Sequence, residues 1–540
     1  MILLVLLITS CQTGVGSPFE TKPTPFLPEN TATPAANMDP TLFVSAGVPI
    51  YWQSSISKIP GVIFTTKKAD ARLVFEPLAK PPEGQVLFSS LIVYAVVAPF
   101  FTVADGLSED QLRALWDGFP DDLVFQNILV SENTANVLTE IWGGRGGNVR
   151  TAPENSLLSI AEENPGTIAI IPFDQLTPRW KVLKIDGKSP IDKPMETGNN
   201  PLSIIFYLYP VGGDGAQYSP IAQSFNTLLP VTNRDESKMT VLIMTGTTAL
   251  TRGTAYKIEK YGTDYPIEAV KDWFLSADLR HVSNEIPFVE DCPPGDIYAT
   301  SLQFCARPDF IEVLENIEIN VVELTGNHEN DYGRENFTST IKEYNDRGWL
   351  IYGGGLNEKD AKQPVMIVNN GNKIAFIGCN YVGPVTVWAT EDQPGAAECD
   401  FEYMTAWIKK LKEFGYVVVT TFQHQESLMY RYNEKYSETF KIMAEAGADI
   451  VQGSQSHFAM SMEFLGNSFI HYGLGNFLFD QMDYEIEGQR REFINRHIIY
   501  DGRYISTELL TTLLEDYSRP TPMTEEERAE FLEIIFNESQ

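Results

Sequence analysis

Short apolar runs recur along the C-terminal half of the chain, each running into a polar residue and followed by a stretch with helical spacing. This rhythm predicts strands at 240–244, 320–324, 373–377, 416–420, 449–452 and 468–472. It predicts helices at 267–276, 309–317, 335–347, 402–414 and 436–446. A parallel strand pair needs a crossover long enough to hold a helix, so the alternation reads as largely parallel, layered sheets with helices outside. The N-terminal half is also mixed. Residues 91–100 (LIVYAVVAPF), 166–172 and 202–208 read as strands. Ser108, followed by Glu109 and Asp110, is placed to cap and open a helix. Residues 186–240 are rich in Gly, Pro, Asn and Ser, and the domain boundary falls near 225–238.

The fold class is therefore α/β, with a smaller domain at 41–230, a larger one at 238–515, and a C-terminal helix and tail at 516–540. The length of 540 residues supports this, since domains run to ~100–200 residues each. The chain is 43% hydrophobic and 11% aromatic, as globular proteins are. Lys+Arg number 40 and Asp+Glu 72, for a net charge of −32. That field repels nucleic acid and anionic head groups and favours cations. It also serves simply to keep an exposed protein soluble.

The N-terminus changes the picture. Residues 1–8 are almost purely apolar, too few for a membrane span of ~20 residues, and read as the end of a signal peptide. With no basic residue before them, the true start is expected upstream. Leu7-Ile8-Thr9-Ser10-Cys11 resembles the lipobox of bacterial lipoproteins. The resemblance implies cleavage before Cys11, lipidation of its thiol and tethering to the outer face of the cell membrane. The alternative is an ordinary secretory signal with an incidental cysteine. Residues 12–40, rich in Pro, Thr, Ser, Gly and Asn, suit a flexible tether. Four cysteines remain, Cys292, Cys305, Cys379 and Cys399, and export permits disulfides. Of the three pairings, the local ones, Cys292–Cys305 and Cys379–Cys399, are favoured; four free buried thiols are the alternative.

Candidate chemistry collects where the C-terminal strands end. The connections carry Gly246-Thr247-Thr248, Ser283-Asn284-Glu285, Asn327-His328-Glu329-Asn330-Asp331, Gln423-His424 and Gly453-Ser454-Gln455-Ser456-His457. Ligands of open α/β sheets sit beyond the carboxyl ends of the strands. Carboxylate, amide and imidazole groups there suit divalent cations such as Zn²⁺, Mn²⁺ or Fe²⁺. A single histidine at a strand end is more often a hydrogen-bonded cap than a ligand. Here only six histidines occur, and three of them (His328, His424, His457) fall at successive strand ends.

These motifs carry a family resemblance. Gly246 to Arg252, Ala277-Asp278-Leu279 to Asn284-Glu285, Asn327 to Gly333, Gly353 to Ala361, Gly447 to Val451 and Tyr472 to Gln481 appear in consistent order over about 250 residues. They resemble the CapA, or poly-γ-glutamate capsule biosynthesis, family of the calcineurin-like metallophosphatase superfamily. The resemblance implies metal ligands at Glu285, Asn327, His424 and His457. It implies a catalytic group of His328, Asn284 and Arg252, and a substrate space lined by Thr247, Gln455, Asn476 and Asp331. Thr247 stands where the family has an Asp, and Gln455 where it has a His, so one divalent metal (Mn, Zn or Fe) is expected rather than two. The implied function is a surface lipoprotein of capsule or poly-γ-glutamate biosynthesis or processing with a degraded metal-dependent hydrolase site. Its expected partners are the membrane, through the lipid, and an anionic surface polymer, with no nucleic acid. The alternatives are a non-catalytic binding or scaffold protein and an anion-binding sensor. The last follows from the N-terminal segment. There Val96 to Phe100, Leu107 to Gly118, Gly166 to Ile170 and Leu183 to Gly187 resemble type 2 periplasmic, phosphate-type binding proteins.

Overall fold

A computed structural model describes residues 40–539 apart from 121–123, 196–199, 213–214 and 483–484. The signal peptide, Cys11 and the tether up to residue 39 lie outside the described residues.

The first domain is organised by its most apolar run. Phe88–Pro99 forms a long strand that pairs antiparallel with Ser203–Pro210 along its first half and with Thr167–Pro172 along its second. Parallel strands complete the sheet on both flanks: Thr41–Val44 with Ile63–Thr65 and Leu73–Leu78, and Asn127–Val130 with Val149–Thr151. Ser108 caps the helix Glu109–Asp117 in a reciprocal capping box with Gln111, and Gly118 ends it in the left-handed conformation.

The second domain stacks two sheets. One runs in the order Leu350–Tyr352, Val321–Glu323, Leu279–Asn284, Met239–Met244, Arg491–Tyr500, Arg503–Glu515, Arg519–Pro522. The other runs Val365–Asn369, Asn372–Asn380, Val417–Gln423, Ile450–Gly453, Ser468–His471, Met462–Leu465. The first is parallel from Leu350–Tyr352 to Met239–Met244 and antiparallel beyond it, and the second has a parallel centre with antiparallel margins. Leu242, Val321, Phe376, Val419, Phe469 and Phe493 fill the space between them. Helices cover the outer faces, Arg334–Asp346 on one sheet and Phe401–Glu413 with Glu434–Ala446 on the other. The sequence rhythm differs from this in several places, and it lacks the strand Leu279–Asn284 and the helix Arg252–Tyr261. The helix expected at 267–276 is reduced to Lys271–Leu275. The hairpin Arg491–Tyr500/Arg503–Glu515 has no counterpart among the predicted strands. The segment 516–540 is part of this domain: Arg519–Pro522 joins the sheet, and the helix Glu525–Glu538 buries Phe531, Leu532, Ile535 and Phe536 between the layers.

The two domains share one hydrophobic core, which runs from Ala95, Val97 and Phe173 of the first to Val241, Ile498 and Tyr500 of the second. Phe100 packs on Phe464 and Phe469, with ring centroids 4.9 and 5.3 Å away. A charged seam borders this contact. Arg528 holds Asp105 through two bonds of 2.5 and 2.9 Å, Lys181 reaches the same carboxylate at 2.8 Å, and Lys184 and Arg496 both meet Glu508. Burial pushes the Asp105 carboxyl up, but Arg528 and Lys181 together outweigh it and hold that carboxyl well below the usual range. Asp105 is partly exposed, so solvent screening reduces what the pairing contributes. Arg528→Ala is expected to cost about 1–2 kcal/mol, at the low end for charged hydrogen bonds. A urea midpoint unchanged from the wild type would remove the seam from the account of how the domains are joined.

Candidate functional site

The strand ends Met244, Asn284, Glu323, Gln423 and Gly453 bring their following residues to one edge of the layered domain. The backbones approach so closely that glycine is required. A Cβ on Gly246 would stand 1.9 Å from the Gly475 carbonyl oxygen, and one on Gly326 would stand 2.5 Å from Glu285 Cα. The short strand Thr247–Thr248 is thereby laid beside Ser283–Asn284 and Asn476.

At the centre is a residue to which the sequence motifs assign no role. The side-chain amide nitrogen of Gln423 donates toward Glu285 Oε1 at 2.7 Å and Asn327 Oδ1 at 3.0 Å, and also meets Gln455 Oε1. The Gln423 side chain is fully buried. The orientation of its amide follows from its neighbours: turned over, a carbonyl oxygen would face the Glu285 carboxylate. On its other side, Ser454 Oγ lies 3.1 Å from Gln423 Oε1 and 3.0 Å from Glu323 Oε1.

His424 stands apart from this hydrogen-bonded group. Its ring stacks on Tyr381 with centroids 4.6 Å apart, and Nε2 lies 3.1 Å from Thr439 Oγ1. Phe422, Tyr436 and Phe440 surround it, and burial pulls its pKa down to about 4. Thr247 is also turned away from ligation, since its hydroxyl donates to the Ser454 carbonyl at 2.6 Å. Asn284 spends its amide on the Ile286 carbonyl. Arg252 is engaged within the fold. It pairs with Asp480 at 2.6 Å and lies over Phe304 and Phe479.

Two imidazoles stand at the site, each held by an oxygen at Nδ1. Asn476 donates to the Gln481 carbonyl at 2.9 Å, so its oxygen is the atom that meets His457 Nδ1 at 2.7 Å. His457 therefore carries a proton on Nδ1. His328 Nδ1 lies 2.7 Å from Asp331 Oδ2, which also accepts the Phe304 N–H at 2.8 Å. The Phe304 ring sits against His328 at 4.4 Å. Glu329, in the same loop, is a second residue that the sequence motifs do not assign a role. It is fully buried with neither oxygen hydrogen-bonded, and burial, then Glu285 and Asp331, raise its carboxyl well above the usual range. Glu426 is more exposed and accepts from Gln481. Two disulfides flank the site, Cys292–Cys305 and Cys379–Cys399.

The architecture is mixed α/β, with two layered sheets whose strand ends meet at one edge. Residues 241–481 match the family model described as bacterial capsule synthesis protein PGA_cap. This part of the chain is similar to that family. The capsule biosynthesis protein CapA of Bacillus anthracis is 29% identical over 269 residues, 48% of this chain and 64% of that protein. The PGA biosynthesis protein CapA of Bacillus subtilis (strain 168) is 26% identical over 226 residues, 41% of this chain and 59% of that protein. The match thus spans less than two thirds of either relative. Among solved structures, a 5'-nucleotidase precursor from Thermus thermophilus aligns at 14% identity and a TM-score of 0.32, covering 55% of this chain and 58% of its own. An ABC-type phosphate transport receptor from Vibrio cholerae aligns at 13% identity and 0.28, covering 34% and 92%.

The donor set of this chain does not fit the metal centre that the resemblance of its motifs implies. Beside the His457 ring, one carboxylate and two amide oxygens remain, and the two N–H groups of the Gln423 amide are shared among all three. Among the described residues, no three His, Cys, Asp or Glu side chains are grouped so as to hold a metal ion.

Proposed function

We propose that this protein is a CapA-type cell-envelope factor that takes part in making or handling a capsule polymer such as poly-γ-glutamate, and that its C-terminal domain binds or scaffolds rather than hydrolyses. The family match of residues 241–481 supports the capsule role. The single observation behind the non-hydrolytic reading is the Gln423 amide, which satisfies the oxygens that a bridging cation would need. A two-metal hydrolase works by clamping both oxygens of the displacement and acidifying a bound water, and neither is available without the cations. The net charge of −32 repels a polyanion, so contact with such a polymer would depend on cations in solution.

Metal analysis of the purified protein, with hydrolysis of a chromogenic phosphodiester in Mn²⁺, tests this. Sub-stoichiometric metal and no turnover above the buffer rate are expected. Near-stoichiometric metal that disappears in Glu285→Gln would overturn the reading. Attachment through a lipid on Cys11 belongs to the same proposal, and Cys11→Ser should move the protein from the membrane fraction to the medium.

A further inference from the structure

One polar segment of the site is gripped from two sides by loops that have little structure of their own. The segment is 327–334, which carries His328 and Asp331. The first loop lies between Cys292 and Cys305, 13 residues apart in sequence. Phe304, next to Cys305, supplies both the N–H bonded to Asp331 and the ring packed on His328. Beyond that contact the loop is solvent-facing, with Tyr298 82% and Leu302 75% exposed. The second loop lies between Cys379 and Cys399, separated by 20 residues. Asn330 donates to the carbonyls of Thr386 and Val387 at 3.2 and 3.1 Å. Arg334 donates to Thr386 at 2.9 Å, Trp388 at 3.1 Å, and Pro394. Asn380, next to Cys379, fixes the start of this loop through Gly383 N–H, Trp388 Nε1–H and the Thr325 carbonyl. Tyr381 then carries the ring stacked on His424.

The first bridge thus stands beside Phe304, which contacts the segment, and the second beside Asn380, which fixes the start of the loop that holds Asn330 and Arg334. Without the bridges, long connections of this kind would hold those contacts only at the entropic cost of ordering the whole loop. We propose that the two disulfides act together as a redox-dependent clamp on the 327–334 segment. The His328–Asp331 arrangement then belongs to the oxidised protein and is lost on reduction, while the layered core stays folded. One cysteine of each bridge, Cys292 and Cys399, is partly exposed, so a thiol reagent can reach both. A dithiol such as dithiothreitol supplies two electrons and two protons per bridge. The S–S bond becomes two thiols and the reagent becomes its own cyclic disulfide. The inference does not depend on the capsule reading.

The chain has six histidines, so ring signals of ¹⁵N-histidine-labelled protein can be assigned individually. His471 and His497, fully buried between the sheets, report on the core. His328 reports on the clamped segment. The expected result on reduction is a shift or loss of the His328 signal with His471 and His497 unmoved, reversed on reoxidation. Alkylation mapped by peptide mass confirms the four thiols. Cys292→Ser/Cys305→Ser should reproduce the His328 change with both oxidant and reductant present, and Cys379→Ser/Cys399→Ser should also move His424. An unmoved His328 signal in fully reduced protein would overturn the proposal. So would all six signals moving together, or four free thiols before any reductant is added.

Discussion

Gln423→Glu is expected to destabilise the protein by about 3–5 kcal/mol, the range for an uncompensated buried charge. The introduced carboxylate would face Glu285 Oε1, Asn327 Oδ1 and Gln455 Oε1, all acceptors, in place of the amide that now bonds them. The site is fully buried, so solvent does not relieve the repulsion. The same change completes a set of two carboxylate and two amide oxygens, which suits hard cations such as Mg²⁺ or Mn²⁺. Millimolar Mn²⁺ should therefore restore stability to the variant and leave the wild type unchanged. A ligand at a hundred times its Kd contributes about 2.7 kcal/mol, so the rescue should recover much of the loss. Urea unfolding with and without Mn²⁺ reads both effects. If Mn²⁺ stabilises the wild type instead, and Glu285→Gln abolishes that gain, the amide is not the occupant of this site.

The contrast between Gln423 and His424 shows how far the sequence can be followed here. The apolar rhythm ends the strand at Thr420, whereas the structure carries it from Val417 to Gln423. Val417 and Val419 face the space between the sheets, whereas Val418 and Phe422 face the helices. Side chains alternate with period two, so Gln423 continues the inner row and the next residue, His424, falls on the helix side. Stopping the strand at Thr420 loses that parity, and the family resemblance alone then places the ligand on the imidazole. The layered sheets and most helices are legible because apolar runs and helical spacing are local signals. The hairpin Arg491–Tyr500/Arg503–Glu515 is not. Its first strand buries Arg491, Glu492, Arg496 and His497 among apolar residues, and that mixture has no amphipathic period. The charged seam between the domains is equally hidden, because Asp105 and Arg528 meet across 423 positions of sequence.

Acid should act most strongly on the histidines that the site does not use. His471 and His497 lie between the sheets, fully buried, and burial lowers the pKa of each to about 3. Their rings are held neutral. Asn495 meets His471 Nδ1 at 2.9 Å and Thr507 meets His497 Nδ1 at 2.7 Å, while the second nitrogen of each has no side-chain partner. The nearby titratable groups that act on His497 are His471 and His281, which disfavour its charge further. In the unfolded chain a histidine takes up its proton near pH ~6.5, so below that pH the unfolded state binds more protons than the folded one. The folded pKa is lowered, so stability is lost as pH falls from about 6.5 toward 3. At a pH of about 5 the loss is about 2 kcal/mol per histidine. Glu329 and Glu492 titrate in the opposite sense: burial raises both, so they stabilise the folded state as pH falls. The wild-type curve alone therefore mixes opposing effects. The difference between wild type and His497→Asn isolates one histidine, because the two carboxyls cancel and Asn can keep the bond to Thr507. Between pH values of about 7.5 and 5 the wild type should lose about 2 kcal/mol relative to that variant, and about 4 relative to His471→Asn/His497→Asn. Parallel pH profiles for wild type and variants would show that the inter-sheet histidines take up protons as readily in the folded protein as in the unfolded chain, against the burial that the structure gives them.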